Sequence, residues 1–484
     1  MSDTIAAVAT GGGISAIGII RISGSNALTA ADSVFRAVGG VRLKDAEDRR
    51  LYYGELISVC GPGGDGGTGR CADADGHTEA YGCPGIDNRV LLDLCLCTVS
   101  RGPASYTGED TVEFHCHGSP VVLAEVLRSL FSFGVRQALP GEFTKRAFLN
   151  GCMDLTQAEA VIDLIESETP LAARNAAEQL RGVIGIKMER VYSQLLDVIA
   201  HFHVVVDYPD EDIDDFDMQN YLTLLQDIDS ELRRMLETHE RGKILRNGIP
   251  TAIIGRPNTG KSSLLNALLG YNRAIVTDIA GTTRDTIEEK IIIGNILLRL
   301  IDTAGLRKTN DTIEKLGVER TLAALSGAGL VIPVLDGSEP LKCDDHDVLR
   351  SIPPDTPIIA VVNKSDLPAV LDAAELEKLG ITYCRVSALS GEGLDCLDTE
   401  IRKMFPELEK FSSGELITNA RQAEAILRAA EGIKLAATAL TDTVTPDAVL
   451  TDIEAALSAI GEVTGKTMRE DIIVRIFERF CVGK

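Results

Sequence analysis

The segment from Thr251 to Ser263 combines residue types and spacing that suit phosphate binding. A short β-branched run ends at Gly255, four residues intervene, and Gly260, Lys261 and Ser262 then begin an amphipathic helical pattern. Glycines let backbone N–H groups turn toward phosphate oxygens, and a helix N-terminus adds positive potential. In such a loop the lysine reaches the terminal phosphates and the serine hydroxyl binds Mg²⁺. The segment therefore predicts a nucleotide phosphate site.

Three downstream segments complete the pattern of a guanine-nucleotide site. Asp302-Thr303-Ala304-Gly305 follows an apolar run; Asp302 is expected to hold a Mg²⁺-bound water, and the Gly305 N–H to face the γ-phosphate. Asn363-Lys364-Ser365-Asp366 follows a second run, and the Asp366 carboxylate would accept from guanine N1–H and the 2-amino group together. Because adenine cannot pair in this way, the expected discrimination is roughly 10⁴ to 10⁵. Ser387-Ala388 would present a backbone N–H to guanine O6.

Hydrolysis needs residues beyond these motifs. Thr283, in the segment 277–285, is expected to complete the Mg²⁺ coordination when the γ-phosphate is present, as in a switch loop. Ras-like proteins orient the attacking water with a glutamine directly after Asp-x-x-Gly, but this chain has Leu306, which neither donates nor accepts. An arginine finger contributes roughly 10³ to 10⁵ in rate. The side-chain oxygen of Asn258 could instead hold a monovalent cation against the β/γ-phosphates.

The predicted GTP-binding set follows from these motifs. Its members are Asn258, Thr259, Gly260, Lys261, Ser262, Ser263, Thr277, Asp278, Ile279, Ala280, Gly281, Thr282, Thr283, Asp302, Thr303, Ala304, Gly305, Asn363, Lys364, Asp366, Ser387, Ala388 and Leu389.

Composition limits the classes of protein that fit. The chain has 484 residues, 45% hydrophobic and 25% charged, which is typical of a soluble protein of about three domains. No apolar run approaches the ~18 residues of a membrane span, and Arg21 interrupts the first apolar stretch, so neither a membrane segment nor a secretion signal is predicted. The net charge of -24 argues that any RNA contact is local or shared with a basic partner. The eleven cysteines lack disulfide or zinc spacing and indicate reduced thiols in the cytoplasm.

Periodicity divides the chain into four segments. Residues 1–150 alternate short strands and turns, which predicts an α+β domain with a flexible hairpin tip at Gly61–Asp87. Residues 151–245 and 409–484 have helical periods, with Thr156 as a candidate N-cap, and predict two halves of one all-α domain. Residues 246–408 predict an inserted α/β Ras-like P-loop domain, which is physically easy because domain termini often lie close together. For the last residues, Cys481 to Lys484, a frayed terminus is the simplest expectation.

These segments together resemble the MnmE (TrmE) family of tRNA-modification GTPases. The resemblance rests on Gly-Arg-Pro-Asn-Thr-Gly-Lys-Ser-Ser, Thr-Asp-Ile-Ala-Gly-Thr-Thr-Arg-Asp, Asp-Thr-Ala-Gly-Leu-Arg and the final Cys-Val-Gly-Lys. The segments Ser105–Asp110 and Leu139–Asn150 also look like that family's N-terminal domain. The GTPase motifs alone would not separate this family from Era or Der, whereas the N-terminal segments and the tail do.

The resemblance implies a homodimer formed by N-terminal domains that resemble a folate-binding fold and hold a tetrahydrofolate derivative, 5-formyl or 5,10-methylene. It implies a partner flavoprotein, MnmG (GidA), which alone carries FAD, in a heterotetramer or larger complex. That complex builds an aminomethyl or carboxymethylaminomethyl group on the wobble uridine of tRNA.

Residue roles also follow from the resemblance. Catalytic roles fall on Lys261, on Glu314, which orients the attacking water through another water, and on Cys481 as a candidate nucleophile. Cys152 stands where relatives commonly carry a lysine, and it supplies no charge. The implied ligands are Asn258, Thr277, Ile279 and Thr282 for potassium, Ser262 and Thr283 for magnesium, and Arg21, Glu113, Cys152 and Lys484 for folate.

Two alternatives stay open at this point. One is a GTP-controlled ribosome-assembly or RNA-binding switch without chemistry of its own, although no KH-like Gly-x-x-Gly module is evident in the C-terminal part. The other treats the N-terminal domain as a structural relic, with all chemistry on the partner. Co-purification with a flavoprotein or with a ribosomal subunit separates the first alternative from the main interpretation.

Overall fold

The structure is a computed structural model that describes residues 3–59, 89–207, 218–271, 289–293, 295–301, 325, 327–406, 414–442 and 446–483. The chain divides into two units, one of residues 1–158 with 468–484 and the other of residues 159–467. Their α+β, all-α and α/β parts confirm the predicted fold class. The predicted hairpin tip at Gly61–Asp87 lies outside the described residues. The four-segment division of the chain stays a prediction.

The first unit is built on a seven-stranded sheet with the order β3-β4-β5-β6-β2-β1-β7. The described neighbours are antiparallel except for β1 and β7, which run parallel. The strands are β1 Ile5–Val8, β2 Ser15–Ser23, β3 Phe35–Ala37, β4 Leu51–Val59, β5 Arg89–Ser100, β6 Thr111–Gly118 and β7 Arg136–Gln137. Three helices accompany the sheet: α1 Ala27–Val34, α2 Pro120–Ser132 and α3 Glu142–Leu149.

Strands β4 and β5 are apolar on both faces. On the inner face Leu56, Cys97 and their neighbours are buried in the core with α1 and α2. Side chains alternate between faces along a strand, so the intervening residues point outward. Four apolar outward residues, here named the β4–β5 apolar face, are Leu51 (54% exposed), Tyr53 (51%), Leu94 (43%) and Leu96 (38%), and the exposed Glu55 lies opposite Leu94 on the same side. A sheet face of this kind is a candidate protein interface.

The remaining elements follow in chain order. They are α4 Leu155–Glu166, α5 Pro170–Leu180, α6 Val183–Asp207, α7 Met218–Glu237, α8 His239–Asn247, β8 Ile249–Ile254, α9 Lys261–Tyr271, β9 Glu289–Ile293, β10 Ile296–Leu300, β11 Leu330–Asp336, α10 Cys343–Arg350, β12 Ile359–Asn363, α11 Ala373–Lys378, β13 Thr382–Arg385, α12 Leu394–Met404, α13 Ala420–Thr441, α14 Pro446–Thr464 and α15 Glu470–Phe477.

Helices from both sides of the α/β part share one apolar core in the second unit. Leu195 of α6 and Leu232 of α7 are buried together with Ile433 of α13 and Ile453 of α14. Each helix has the apolar stripe that such burial requires. The two helical segments of the sequence therefore form a single structure with the α/β part between them.

The N-cap of α4 differs from the prediction. Thr156 lies inside the helix, and its hydroxyl donates to Asp154 Oδ1 at 2.6 Å. The same carboxylate oxygen accepts from Gln157 N–H at 2.9 Å. Asp154 therefore caps the helix, because its side chain reaches an N–H that has no partner within the first turn.

The α/β part contains a six-stranded sheet with the order β13-β12-β11-β8-β10-β9. All described pairs are parallel except β9 with β10. Carboxyl ends of parallel strands meet at one edge, where open α/β sheets bind ligands. The phosphate loop follows β8, and the two base-recognition segments follow β12 and β13 at the same edge.

The C-terminal tail is ordered within the first unit. Gly141 N–H donates to the Cys481 carbonyl at 3.2 Å. Gly483 has a φ of 98°, and a Cβ there would lie 2.0 Å from the Val8 carbonyl oxygen. The expectation of a frayed terminus is therefore wrong for residues 481–483, because backbone pairing and close packing hold them.

Candidate nucleotide-binding site

The phosphate loop has a backbone that demands glycine at both ends. Gly255 has a φ of 148°, and a Cβ there would lie 2.5 Å from the Val334 carbonyl oxygen. Gly260 has a φ of 93°, and a Cβ there would lie 2.1 Å from Asn363 Nδ2. A side chain at either position would push the loop away from the strand ends. The loop is thus a preformed cradle between β8 and α9.

Lys261 lies along this cradle. Its Nζ donates to the carbonyl oxygens of Gly255 and Arg256, each at 2.8 Å. Burial lowers the pKa of Lys261 below the ordinary lysine value. A nearby phosphate would reverse that shift, because an opposite charge favours the ammonium form.

The other described residues of the loop are arranged around this lysine. Asn258 is exposed and has a φ of 66°, a left-handed conformation, whereas Thr259 is buried and donates to the Arg256 carbonyl at 3.1 Å. Ser262 and Ser263 lie in the first turn of α9, half-buried and exposed respectively. The cradle, the helix N-terminus and the lysine together fit the phosphates of a Mg²⁺-bound nucleotide.

Asn363 joins the phosphate loop to the base-recognition loop. Its Nδ2 donates to the Thr259 carbonyl at 2.8 Å, and its Oδ1 accepts from Ala388 N–H at 2.9 Å. The residue is 3% exposed, so both bonds lie away from solvent. The Ala388 N–H that the sequence assigns to guanine O6 is therefore engaged by Asn363 in this structure. Leu389, the next residue, is 88% exposed on the same loop.

The Asp366 carboxylate is held by a neighbouring segment. Ser387 Oγ donates to Asp366 Oδ1 at 2.7 Å, which fixes the side chain that is predicted to read guanine. Lys364, with a φ of 67°, pairs through Nζ with Asp336 Oδ2 at 2.5 Å. Burial raises the pKa of Asp336, but the bonds from Lys364 and Ser338 outweigh it and leave the pKa below its usual value. The base-recognition segments therefore form one bonded unit.

Arg256 is a residue of the site that sequence reasoning missed. Its Nε lies 3.1 Å from both carboxylate oxygens of Asp345, which is 2% exposed, and its Nη2 pairs with Glu339. These contacts tie the phosphate loop to the start of α10. An arginine in the loop was visible in the sequence, but its acidic partners lie more than eighty residues away.

Several predicted residues lie outside the described parts of the chain. They are Thr277, Asp278, Ile279, Ala280, Gly281, Thr282, Thr283, Asp302, Thr303, Ala304, Gly305, Glu314 and Lys484. Their proposed roles in binding magnesium, potassium, folate or the attacking water stay predictions.

A second cluster in the first unit contains two of the predicted folate residues. Arg21 Nε and Glu113 Oε1 lie 2.7 Å apart on the neighbouring strands β2 and β6. The Arg21 guanidinium also lies 5.2 Å from the Tyr106 ring centroid and 5.7 Å from that of Phe143. The pair remains partly accessible, at 20% and 25% side-chain exposure. It therefore offers a cationic donor and a carboxylate acceptor beside aromatic rings.

The other two described candidates of the first unit are cysteines. Cys152 and Cys481 are both exposed. Cys152 lies beside Gly108, where an added Cβ would be 3.0 Å from its Sγ.

Within the described residues, no helix combines the length and the apolar character needed to cross a membrane.

Two family models match this chain. "GTP-binding protein TrmE N-terminus" matches residues 4–152, and "MnmE helical domain" matches residues 155–481. The second match alone covers more than half of the chain.

Full-length relatives agree with these matches. The chain is 38% identical over 487 residues to "tRNA modification GTPase MnmE" of Clostridioides difficile, covering 100% of both chains. It is 40% identical over 484 residues to the protein of the same name from Symbiobacterium thermophilum, covering 100% of this chain and 99% of that one. A structure of Era in complex with MgGDPNP and 16S ribosomal RNA nucleotides is 28% identical over 38% of this chain and 66% of that chain. Its TM-score of 0.25 is too low to bear on fold or function.

The predicted resemblance is thus confirmed along the whole chain. Both family matches and the full-length identities place the chain in the family of the tRNA modification GTPase MnmE, also called TrmE.

Proposed function

We propose that this chain is the GTP-hydrolysing subunit of a complex that modifies the wobble uridine of tRNA to the 5-carboxymethylaminomethyl or aminomethyl form. The observation that best supports GTP as the ligand is the position of Asn363. Its side chain bonds to both the phosphate loop and the base-recognition loop and so joins them in one site. The printed name of the full-length relatives supports the link to tRNA modification. As a member of this family, the protein is a GTPase.

Potassium is the proposed charge stabiliser for hydrolysis. Two features of Asn258 support this role. The residue is exposed in the phosphate loop, so its side-chain oxygen lies at the surface, and its backbone is left-handed. Leu306 cannot orient water, so Glu314 is proposed to do so through a second water. Ser262 and Thr283 are the proposed Mg²⁺ contacts. Lys261 supplies charge at the terminal phosphates.

A homodimer is proposed to form through the β4–β5 apolar face. Its four side chains line one side of two paired strands and are each more than one third exposed. Because the opposite side of the same strands is already buried in the core, a second copy of the chain is the proposed cover. This arrangement would satisfy an apolar surface that water otherwise contacts.

Tetrahydrofolate is the proposed one-carbon carrier of the first unit. Arg21 suits the carboxylates of a folate, and Glu113 suits the donor edge of a pterin. The partly accessible Tyr106 ring beside Arg21 supports this proposal because a pterin is flat and aromatic. Cys152 and Lys484 are proposed to lie at the same site, and Cys481 is proposed as a nucleophile.

The flavoprotein partner and the cytoplasmic location complete the proposal. A net charge of -24 gives the chain little attraction for tRNA phosphates by itself. A partner is therefore proposed to supply much of the tRNA contact together with FAD. Affinity purification that recovers a ribosomal subunit instead of a flavoprotein would favour the ribosome-assembly alternative.

The deciding experiment compares GTP turnover in potassium and sodium at equal ionic strength. The wild type should be strongly faster in potassium, whereas Asn258→Ala should be slow in both salts. GTP affinity, measured in parallel, separates an effect on hydrolysis from an effect on binding. Equal rates of the wild-type protein in the two salts would refute the cation proposal. Equilibrium dialysis with a reduced folate, using the wild type and Arg21→Ala, tests the one-carbon role.

A further inference from the structure

Two cysteine thiols meet beside the segment that carries the predicted guanine contacts. Cys384 lies in β13 and is fully buried, whereas Cys396 lies in the first turn of α12 and is exposed. Their Sγ atoms are 2.6 Å apart, so the thiols are in direct contact. One member of the pair is thus open to a reagent in solvent, and the other is buried beside it.

The backbone brings these thiols together. Gly393, directly before α12, has a φ of 83°, and a Cβ there would lie 2.0 Å from the Arg385 carbonyl oxygen. Within the same connection, Ser387 N–H donates to the Glu392 carbonyl at 2.9 Å. The tight connection holds the first turn of α12 against the end of β13. Contact between the thiols therefore follows from the backbone path.

We propose that Cys384 and Cys396 form a reversible disulfide, which restrains the guanine-contact loop between them. The oxidant is a small-molecule disulfide such as oxidised glutathione. The closed ring contains Ser387, Ala388 and Leu389. A crosslink reduces the conformations open to the segment it encloses, and the thiols of a reducing compartment reverse it. The effect on the loop rests on the proposed function, since it assumes that guanine binds there.

The chemistry balances as two exchange steps. The Cys396 thiolate attacks one sulfur of the oxidant, whose S–S bond breaks and releases one glutathione thiolate. The Cys384 thiolate then attacks Cys396 Sγ and releases the second glutathione thiolate, and the two protein protons end on the two glutathiones. Burial, followed by the hydrogen bond with Cys396, raises the pKa of Cys384. Cys396 reacts first because it is the exposed thiol, whereas Cys384 is buried.

Peptide mapping tests the crosslink on the full-length protein. The wild type is treated with oxidised glutathione, alkylated and digested with trypsin without reduction. Arg385 lies between the two cysteines, so cleavage yields peptides 379–385 and 386–402, which stay joined only by the disulfide. We expect the joined pair, lighter by two hydrogens than the sum of its peptides. Cys343→Ser removes another exposed cysteine of the α/β part and should leave the joined pair intact. Recovery of Cys396 only as a glutathione adduct, with Cys384 still a free thiol, would overturn the proposal.

GDP release tests the restraint. Oxidation of the wild type should slow the release of a fluorescent GDP several-fold, and dithiothreitol should restore it. Cys396→Ser should show no response to the oxidant. A crosslink that forms without slowing release would overturn the restraint. Failure of the reduced protein to bind GDP would instead refute guanine recognition and leave the crosslink result standing.

Discussion

Asn363 Nδ2 donates a hydrogen bond to the carbonyl oxygen of Thr259 at 2.8 Å, which joins residues 104 positions apart in the sequence. The opposite end of the same amide accepts from Ala388 N–H. One side chain thereby sets the distance between the phosphate loop and the base loop. Nucleotide affinity should depend on this amide even if it touches no atom of the phosphates.

Asn363→Ala should weaken GTP binding through the loss of both bonds. Without these bonds GTP must restore the loop spacing when it binds, and at roughly 1 kcal/mol for each bond this raises Kd by at most about 30-fold. Titration with a fluorescent GTP analogue measures the change. Asn419→Ala, which removes the N-cap of α13, is the control for a general loss of stability and should leave Kd unchanged. An unaltered Kd for Asn363→Ala would show that the two loops keep their spacing without it.

Asp366→Asn should change the base that the site selects. The carboxylate is proposed to accept from two guanine donors, whereas an amide offers one donor and one acceptor, which complements the 2-carbonyl of xanthine. GTP affinity should fall on the order of 10⁴-fold and XTP should become the preferred ligand. Competition of GTP and XTP against a fluorescent nucleotide checks this. Asp372→Asn, at the N-cap of α11, is the matched control. Retained preference for GTP would remove Asp366 from base recognition.

Arg256→Leu should destabilise the start of α10. It leaves the Asp345 carboxylate, 2% exposed, without its cationic partner, and breaking a buried pair costs about 3–5 kcal/mol. Hydrogen exchange of the α10 amides in the full-length chain reports this local loss. Adding Asp345→Asn should recover much of it, because the amide carries no charge and still accepts from Lys342 N–H.

A control variant distinguishes this effect from a general change of charge. Arg350→Leu removes an exposed arginine from the same helix, where the nearest carboxylate is 4.0 Å away. Such a surface pair contributes little, so exchange should hardly change. Equal effects of the two leucine variants would contradict the role assigned to Arg256.

GTP binding should take up a proton at alkaline pH. Burial lowers the pKa of Lys261 in the free site, and phosphate charge favours its ammonium form. Between the lowered pKa and the ordinary value of about 10.4, the free lysine is partly neutral while the bound one is charged. GTP affinity should therefore fall as pH rises through that window. Calorimetry at a pH just above the lowered pKa, in two buffers of different ionisation enthalpy, measures the number of protons taken up when GTP binds.

The variant Lys261→Arg tests whether Lys261 is the group that takes up the proton. The guanidinium stays charged throughout the window, so uptake assigned to position 261 should disappear. Uptake that persists in the arginine variant would assign the proton to another group.

Charge on the β4–β5 apolar face should separate the proposed dimer. Tyr53→Lys with Leu96→Lys places two ammonium groups on adjacent strands, at opposed positions. Replacing an anchor residue of an interface raises the dimer Kd by roughly 30-fold or more. Sedimentation velocity measures the change. Val121→Lys alters an apolar residue that is 72% exposed on α2 and should leave the mass unchanged. A dimer that survives both lysines uses another surface.

Local patterns predicted the elements that position the nucleotide site. The apolar runs before the phosphate loop and before the Asp302 and Asn363 segments form the strands β8, β10 and β12. Their apolar runs are continuous because both faces of a parallel sheet are buried. Motif spacing could therefore place Lys261 at the start of the helix after β8, Asn363 at the end of β12 and Ser387 just after β13.

Contacts distant in sequence were not predictable in the same way. The buried Arg146 of α3 pairs with Glu109 and with Asp3, which lie 37 and 143 residues away in the sequence. The partnership of Arg256 with Asp345 depends on where α10 begins, and the ordered tail depends on Gly483 packing against β1. Each depends on tertiary placement, which periodicity does not encode.

The packing of Gly483 against Val8 has a consequence for how the protein is made. Residues 468–484 belong to the same unit as residues 1–158, so the first unit to leave the translation machinery is the last to be finished. Until the second unit has been synthesised, the end of β1 therefore lacks the tail that packs against it. A chain that ends before residue 481 would leave the Gly141 N–H without the Cys481 carbonyl and the end of β1 without Gly483.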